Sequence, residues 1–111
     1  MQSGPQSARR APQTVMWDRR ELDTILRVYG RFVAQGDWKD YAIDGLRDQA
    51  VFSIFRRHSE VPMYSVIKTP ADAHRQGQYK IGGMDGQILK RGHDLAQALK
   101  VFDKKRFNIV E

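Results

Sequence analysis

The sequence contains no cysteine, which excludes disulfide bonds, thiolate catalysis and cysteine-ligated metals. It also lacks any apolar run near the roughly 18 residues that a membrane-spanning helix requires. The first residues, MQSGPQ, have no apolar core of the kind that a secretory signal needs. We therefore expect a cytoplasmic protein that does not interact with a membrane.

Recognisable catalytic motifs are missing as well. There is no Gly-x-Ser-x-Gly turn, no phosphate-binding loop and no dinucleotide fingerprint. The three histidines, His58, His74 and His93, do not have the spacing of metal ligands on one helix. We expect a protein that is not an enzyme, with no catalytic residues, no metal and no cofactor.

Length and composition indicate one small domain with tails. The chain has 111 residues, of which 41% are hydrophobic, enough for a modest core. Residues 1–15 form a polar, basic segment that we expect to be disordered, and residues 16–105 form the domain. Residues 106–111 contain three apolar side chains, which predicts a C-terminal tail that docks as an extra strand.

The net charge of +6 is concentrated in the flanks. Four cations and one acid lie there, which leaves a net charge of +3 between Met16 and Lys104. A mildly basic body favours nucleic acid or acidic partners through non-specific attraction. The same small value is common in proteins that bind neither.

Two helices are predicted at the ends of the domain. Asp18 followed by Glu21 is a capping-box pattern, apolar residues recur at helical spacing from Leu22 to Val33, and Gly36 ends the helix. A second capping pattern at Asp94 begins a helix that continues to Lys104.

Five strands are predicted between the helices, at 41–46, 50–57, 63–68, 79–84 and 87–90. The short connections indicate an antiparallel arrangement, and Asp85-Gly86 predicts a type I′ hairpin turn. A short helical segment follows Pro70. The fold class is therefore α+β, a mostly antiparallel sheet of about five strands with an N-terminal and a C-terminal helix.

The strand at 50–57 is apolar on both faces, because alternate side chains of a strand point in opposite directions. If both helices cover one face, the other face carries an exposed apolar patch; if they take opposite faces, both are buried. An exposed patch would be a protein-partner or homodimer interface. The candidate interface residues are Tyr64 and Val66, which share one face of the strand at 63–68 opposite Ser65 and Ile67, together with either Phe52 or Phe55, which point to opposite faces of the strand at 50–57.

Basic residues near the strand ends offer an alternative function. Cations interleaved with aromatic side chains on a sheet bind single-stranded RNA or DNA in several folds. The loop at 91–94 joins a strand to a helix N-terminus, which attracts anions, although Asp94 would repel them. The candidate anion or nucleic-acid contacts are Arg56, Arg57, Lys68, Lys90, Arg91 and His93.

Several segments together resemble a known family. They are WDRREL at 17–22, DYAID at 40–44, AVFSIFRR at 50–57, RQGQY at 75–79 and LKRGHDL at 89–95. Over roughly residues 16–110 the chain resembles a family of small uncharacterised alphaproteobacterial proteins, a domain of unknown function. The resemblance implies a self-contained bacterial protein and implies no activity, substrate or site residue. Our leading hypothesis is a non-enzymatic binding or adaptor protein that acts through a sheet face.

Overall fold

The computed structural model describes residues 14–57 and 61–104. In chain order these form α1 (Arg19–Ala34), β1 (Asp40–Gly45), β2 (Ala50–Phe55), β3 (Tyr64–Lys68), β4 (Tyr79–Gly82), β5 (Ile88–Gly92) and α2 (Leu95–Leu99). A short 3-10 helix lies at Pro70–Asp72, and residues 101–104 add a helical turn after α2. The predicted α+β class is confirmed.

The two predicted tails fall almost entirely outside the described residues. Val15, at the end of the first, is described, and its backbone N–H donates to the Leu46 carbonyl at 2.7 Å. Within 14–57 and 61–104, no helix has the length and apolar character needed to cross a bilayer.

Helix α1 begins and ends where local chemistry predicts. The Asp18 carboxylate accepts the Glu21 backbone N–H at 2.8 Å, and the Glu21 carboxylate accepts that of Asp18 at 2.9 Å. Gly36 has a φ of 82°, the left-handed conformation that ends helices and favours glycine. The capping box and the terminating glycine are both confirmed.

The five strands form one antiparallel sheet in the order β1-β2-β3-β4-β5. The hairpin between β4 and β5 differs from the predicted type I′ turn. The Gly86 N–H donates to the Gly83 carbonyl at 3.1 Å, so Met84 and Asp85 are the central residues of the turn. Gly86 follows them with a φ of 84°, as in a three-residue hairpin loop that ends in a left-handed glycine.

Both helices pack on the same face of the sheet. Phe32 of α1 stacks on Trp38, and Phe102, after α2, contacts both of these rings as well as Tyr64 of β3. This helix-covered face holds the buried core, and its inward strand residues are Ala50, Phe52, Ile54, Tyr64, Val66, Tyr79 and Ile81. The domain therefore has two layers, one of helices and one of sheet.

Candidate functional site

The opposite side of the sheet, here called the open face, has no described helix or strand packed on it. Its central residues come from the alternate positions of β2 and β3, namely Val51, Ser53, Phe55, Ser65 and Ile67. Ser53 is 9% exposed, and the other four are intermediate in exposure. Apolar side chains thus line the middle of a surface that a single-layer sheet normally presents as polar.

Charged side chains flank this apolar centre with opposite signs. Asp40 and Asp44 lie on β1 at one edge, cross-strand from Phe55 and Val51. Lys80 on β4 and Arg91 on β5 lie towards the other edge and are cross-strand neighbours. The open face is therefore acidic on one side, apolar in the middle and basic on the other side.

Three of the four predicted interface residues lie on the wrong face for that role. Phe52 and Val66 are fully buried and Tyr64 is 9% exposed, all under the helices. The register places Phe55 on the open face, so Phe55 alone of the four remains a candidate. The prediction assigned Tyr64 and Val66 to the uncovered side of β3, whereas Ser65 and Ile67 point there.

Lys68, predicted as an anion contact, is an internal ion-pair partner instead. Its Nζ lies 2.7 Å from the Glu21 carboxylate and 2.5 Å from the Met16 carbonyl, and it sits 5.6 Å from the centre of the Trp17 ring. The hydroxyl of Tyr79 donates to the other Glu21 oxygen at 2.5 Å. We call Glu21, Lys68 and Tyr79 the buried polar cluster. Glu21 lies 47 positions from Lys68 and 58 positions from Tyr79 in the sequence, so local patterns did not reveal the cluster.

The pKa of Tyr79 is raised well above its usual value. Burial is the largest cause, followed by the hydrogen bond to Glu21 and the nearby negative charges of Glu21, Asp18 and Asp94. Each cause favours the protonated phenol, because a phenolate there would be desolvated and would repel the carboxylates.

Alkaline pH is therefore expected to destabilise the protein partly through Tyr79. Above about pH 10 the unfolded phenol loses its proton while the folded one keeps it, so the free energy of unfolding falls as pH rises. Tyr79→Phe removes this contribution, which has a limiting slope of about 1.4 kcal/mol per pH unit. Urea unfolding of both proteins at several pH values between about 8 and 11 measures the difference. Parallel slopes for the two proteins would contradict it.

Arg56 and Arg57 lie at the end of β2, beside the C-terminal end of α1. Together with Lys39 and Gly36 they line an open cleft of about 490 Å³. The backbone N–H of Lys39 donates to the Phe55 carbonyl at 2.9 Å, which holds Lys39 next to the strand end. The sequence alone did not indicate Lys39, because it is the pairing of β1 with β2 that places Lys39 beside Arg56 and Arg57.

The predicted anion contacts do not converge on one surface. Lys90 and Arg91 lie on β5, three strand spacings or roughly 14 Å from β2, and Lys68 is buried. His93 is exposed and precedes Asp94, whose carboxylate accepts the Gln97 N–H at 3.0 Å as the N-cap of α2. The geometry that the nucleic-acid alternative requires is therefore not formed by these residues.

Across the described ranges, no three His, Asp or Glu side chains come close enough together to hold a metal ion.

Sequence reasoning also missed Asp44, Val51 and Ile67 as surface candidates. The alternation in β2 and β3 had already separated the two faces correctly. The sequence signal for the uncovered face was the pair Ser53 and Ser65. Small polar residues on one side of adjacent apolar strands indicate the side without a helical layer.

Comparison with known proteins places the chain in a family. No curated protein and no solved structure matches it significantly. Residues 15–99 match a family model described as a protein of unknown function, DUF2794, and this range covers most of the chain and nearly all the described elements. The chain therefore belongs to the DUF2794 family.

Proposed function

We propose that this protein is a non-enzymatic binding protein that acts through the open face of its sheet. The observation that carries the proposal is the placement of both helices on one side. This leaves Val51, Phe55 and Ile67 without a covering layer among the described residues. An uncovered apolar surface rimmed by charge is characteristic of a protein-interaction site.

The sequence of β2 supports the same conclusion. An antiparallel strand covered on one side usually alternates apolar and polar residues, whereas β2 carries Val51 and Phe55 on its uncovered side. Covering those side chains would remove further apolar area from water, at about 25 cal/mol per Å². In our proposal, a partner protein covers these side chains.

The shape of the open face favours a macromolecule over a small ligand. Small-molecule sites are concave and enclose most of the ligand, whereas one face of a five-stranded sheet presents a broad surface. Broad apolar surfaces with a polar rim suit protein partners.

Site-specific photocrosslinking in the native cell tests the proposal. A photoreactive phenylalanine analogue is placed at Phe55, on the open face, and separately at Met84, which is 63% exposed at the tip of the β4–β5 hairpin. We expect a discrete adduct from position 55 and none from position 84. The adduct should disappear when Ile67→Glu is added, because a carboxylate would then lie within the contact.

Two results would overturn the proposed function. One is the absence of any adduct from position 55, and the other is an adduct that persists unchanged in the Ile67→Glu background. Far-UV circular dichroism of each variant establishes that it is folded before it is compared.

A further inference from the structure

One row of residues crosses the open face at right angles to the strands. The register pairs Asp44 with Val51, Val51 with Ile67, Ile67 with Lys80 and Lys80 with Arg91. Each pair is directly cross-strand, so the five side chains lie side by side across all five strands. The row runs from one acid, through two apolar residues, to two cations, and β3 is its midpoint.

This order is complementary to itself under one particular rotation. A twofold axis parallel to the strands, passing over β3, turns a second open face towards the first and reverses the order of the strands. β1 of one protomer then lies over β5 of its partner, which brings Asp44 to the partner's Arg91. Ile67 of one protomer faces Ile67 of the other at the axis.

The other in-plane axis gives the opposite result. A twofold perpendicular to the strands lays β1 over the partner's β1 and β5 over the partner's β5. Asp44 would then share its edge with the partner's Asp40 and Asp44. Lys80 and Arg91 would likewise lie over the partner's Lys80 and Arg91. Like charges at close range oppose association, so of these two aligned packings the charge pattern favours the first.

We propose that the open face binds a second copy of this chain, in a face-to-face dimer whose twofold axis is parallel to the strands. The inference rests on the proposed function and names the partner of that site. Asp44 of each protomer pairs with Arg91 of its partner, so the contact occurs twice in the dimer. The two helical layers lie on the outside, and the two sheets pack about 10 Å apart with Val51, Phe55 and Ile67 between them.

The area of the open face determines how tightly the dimer is expected to associate. Five strands about 4.8 Å apart, four to six residues long at about 3.4 Å per residue, give roughly 24 by 18 Å, or about 430 Å² per protomer. Two faces bury on the order of 900 Å², near the lower limit of about 1,000 Å² for specific interfaces. We therefore expect a reversible dimer that dissociates in the micromolar range.

A charge-exchange experiment on the full chain tests the dimer and its orientation. Sedimentation velocity from about 1 to 200 µM measures the dimer dissociation constant. Asp44→Arg and Arg91→Asp should each raise it at least about tenfold, because each replaces two attractions by two repulsions. The double variant restores both pairs with reversed sign and should return to within about threefold of the unmodified protein.

The matched control is Asp23→Arg, the same charge change at an exposed site on α1. It should leave the dissociation constant unchanged. Thermal unfolding of every variant separates loss of dimer from loss of fold.

Failure of the dimer proposal and failure of the proposed function give different results. A protein that is monomeric at all concentrations, yet gives the cellular adduct from position 55, overturns the dimer and leaves the proposed function standing; the occupant is then another protein. A dimer that Ile67→Glu disrupts but the charge variants do not overturns the orientation. A dimer whose single charge variants are weakened but not restored by the double variant also overturns the pairing of Asp44 with Arg91.

Discussion

Phe52→Ala is expected to lower the free energy of unfolding by about 3–5 kcal/mol, and Phe55→Ala by far less, about 1 kcal/mol. The two residues belong to the same strand and are three positions apart, so their side chains point to opposite faces of the sheet. Phe52 is fully buried under α1, in ring contact with Tyr29 and Tyr41, and its removal leaves a cavity. Phe55 points to the open face, where solvent fills the space that its ring leaves.

Urea unfolding of both variants under identical conditions measures the two costs. The measurements belong at a concentration well below the dimer dissociation constant, because a bound partner would add its own stabilisation to Phe55. Equal losses for the two variants would contradict the assignment of the open face. They would mean that both sides of β2 are covered to the same extent.

Glu21→Ala is expected to cost about 3–5 kcal/mol, because it leaves the Lys68 ammonium buried without its counter-charge. The two side chains are 10% and 11% exposed, so bulk water solvates the remaining ammonium poorly. The same change removes the acceptor of the Tyr79 hydroxyl and one half of the α1 capping box. Three structural roles therefore depend on one carboxylate.

A matched variant comes from an ion pair on the surface. Arg31 and Asp103 lie 3.4 Å apart with side chains 56% and 54% exposed, so Asp103→Ala should cost less than about 1 kcal/mol. Chemical unfolding of both variants provides the comparison. A loss for Glu21→Ala as small as that for Asp103→Ala would contradict the internal role of the buried polar cluster.

The double variant Glu21→Ala/Lys68→Met separates charge burial from packing. It removes the uncompensated cation, so it should recover part of the stability lost in Glu21→Ala. If Lys68→Met adds its full cost to that of Glu21→Ala, the two side chains are not energetically coupled.

Local chemistry determined the elements of this fold. Asp18 and Glu21 mark the start of α1, and Gly36 marks its end, because helix ends are satisfied by groups a few residues away. The alternation in β2 and β3 separated two sets of side chains correctly, since the period of a strand is a property of the backbone. The family resemblance also followed from the sequence, and the match over residues 15–99 confirms membership of a family of unknown function.

The sequence located the hairpin between β4 and β5 but did not determine the length of its loop. Asp85-Gly86 indicated the turn, but the loop contains one residue more than the two-residue type I′ form. The register shift between Ile81 and Gly82 accompanies that change, and strand pairing on both sides decides it.

Apart from the signal of Ser53 and Ser65, tertiary structure decided which set of strand side chains is buried. The sequence offered two apolar faces and two amphipathic helices, and nothing local links a helix to one side of a sheet. The environment of Lys68 was also decided by tertiary structure. Its charge predicted an exposed position, but the packing of α1 places Glu21 beside it and buries the pair. The row from Asp44 to Arg91 spans all five strands, so it exists only once the sheet is assembled. Thus the two-faced strand was evident from sequence, while its uncovered side, and with it the candidate interface, is set by contacts between residues far apart in the chain.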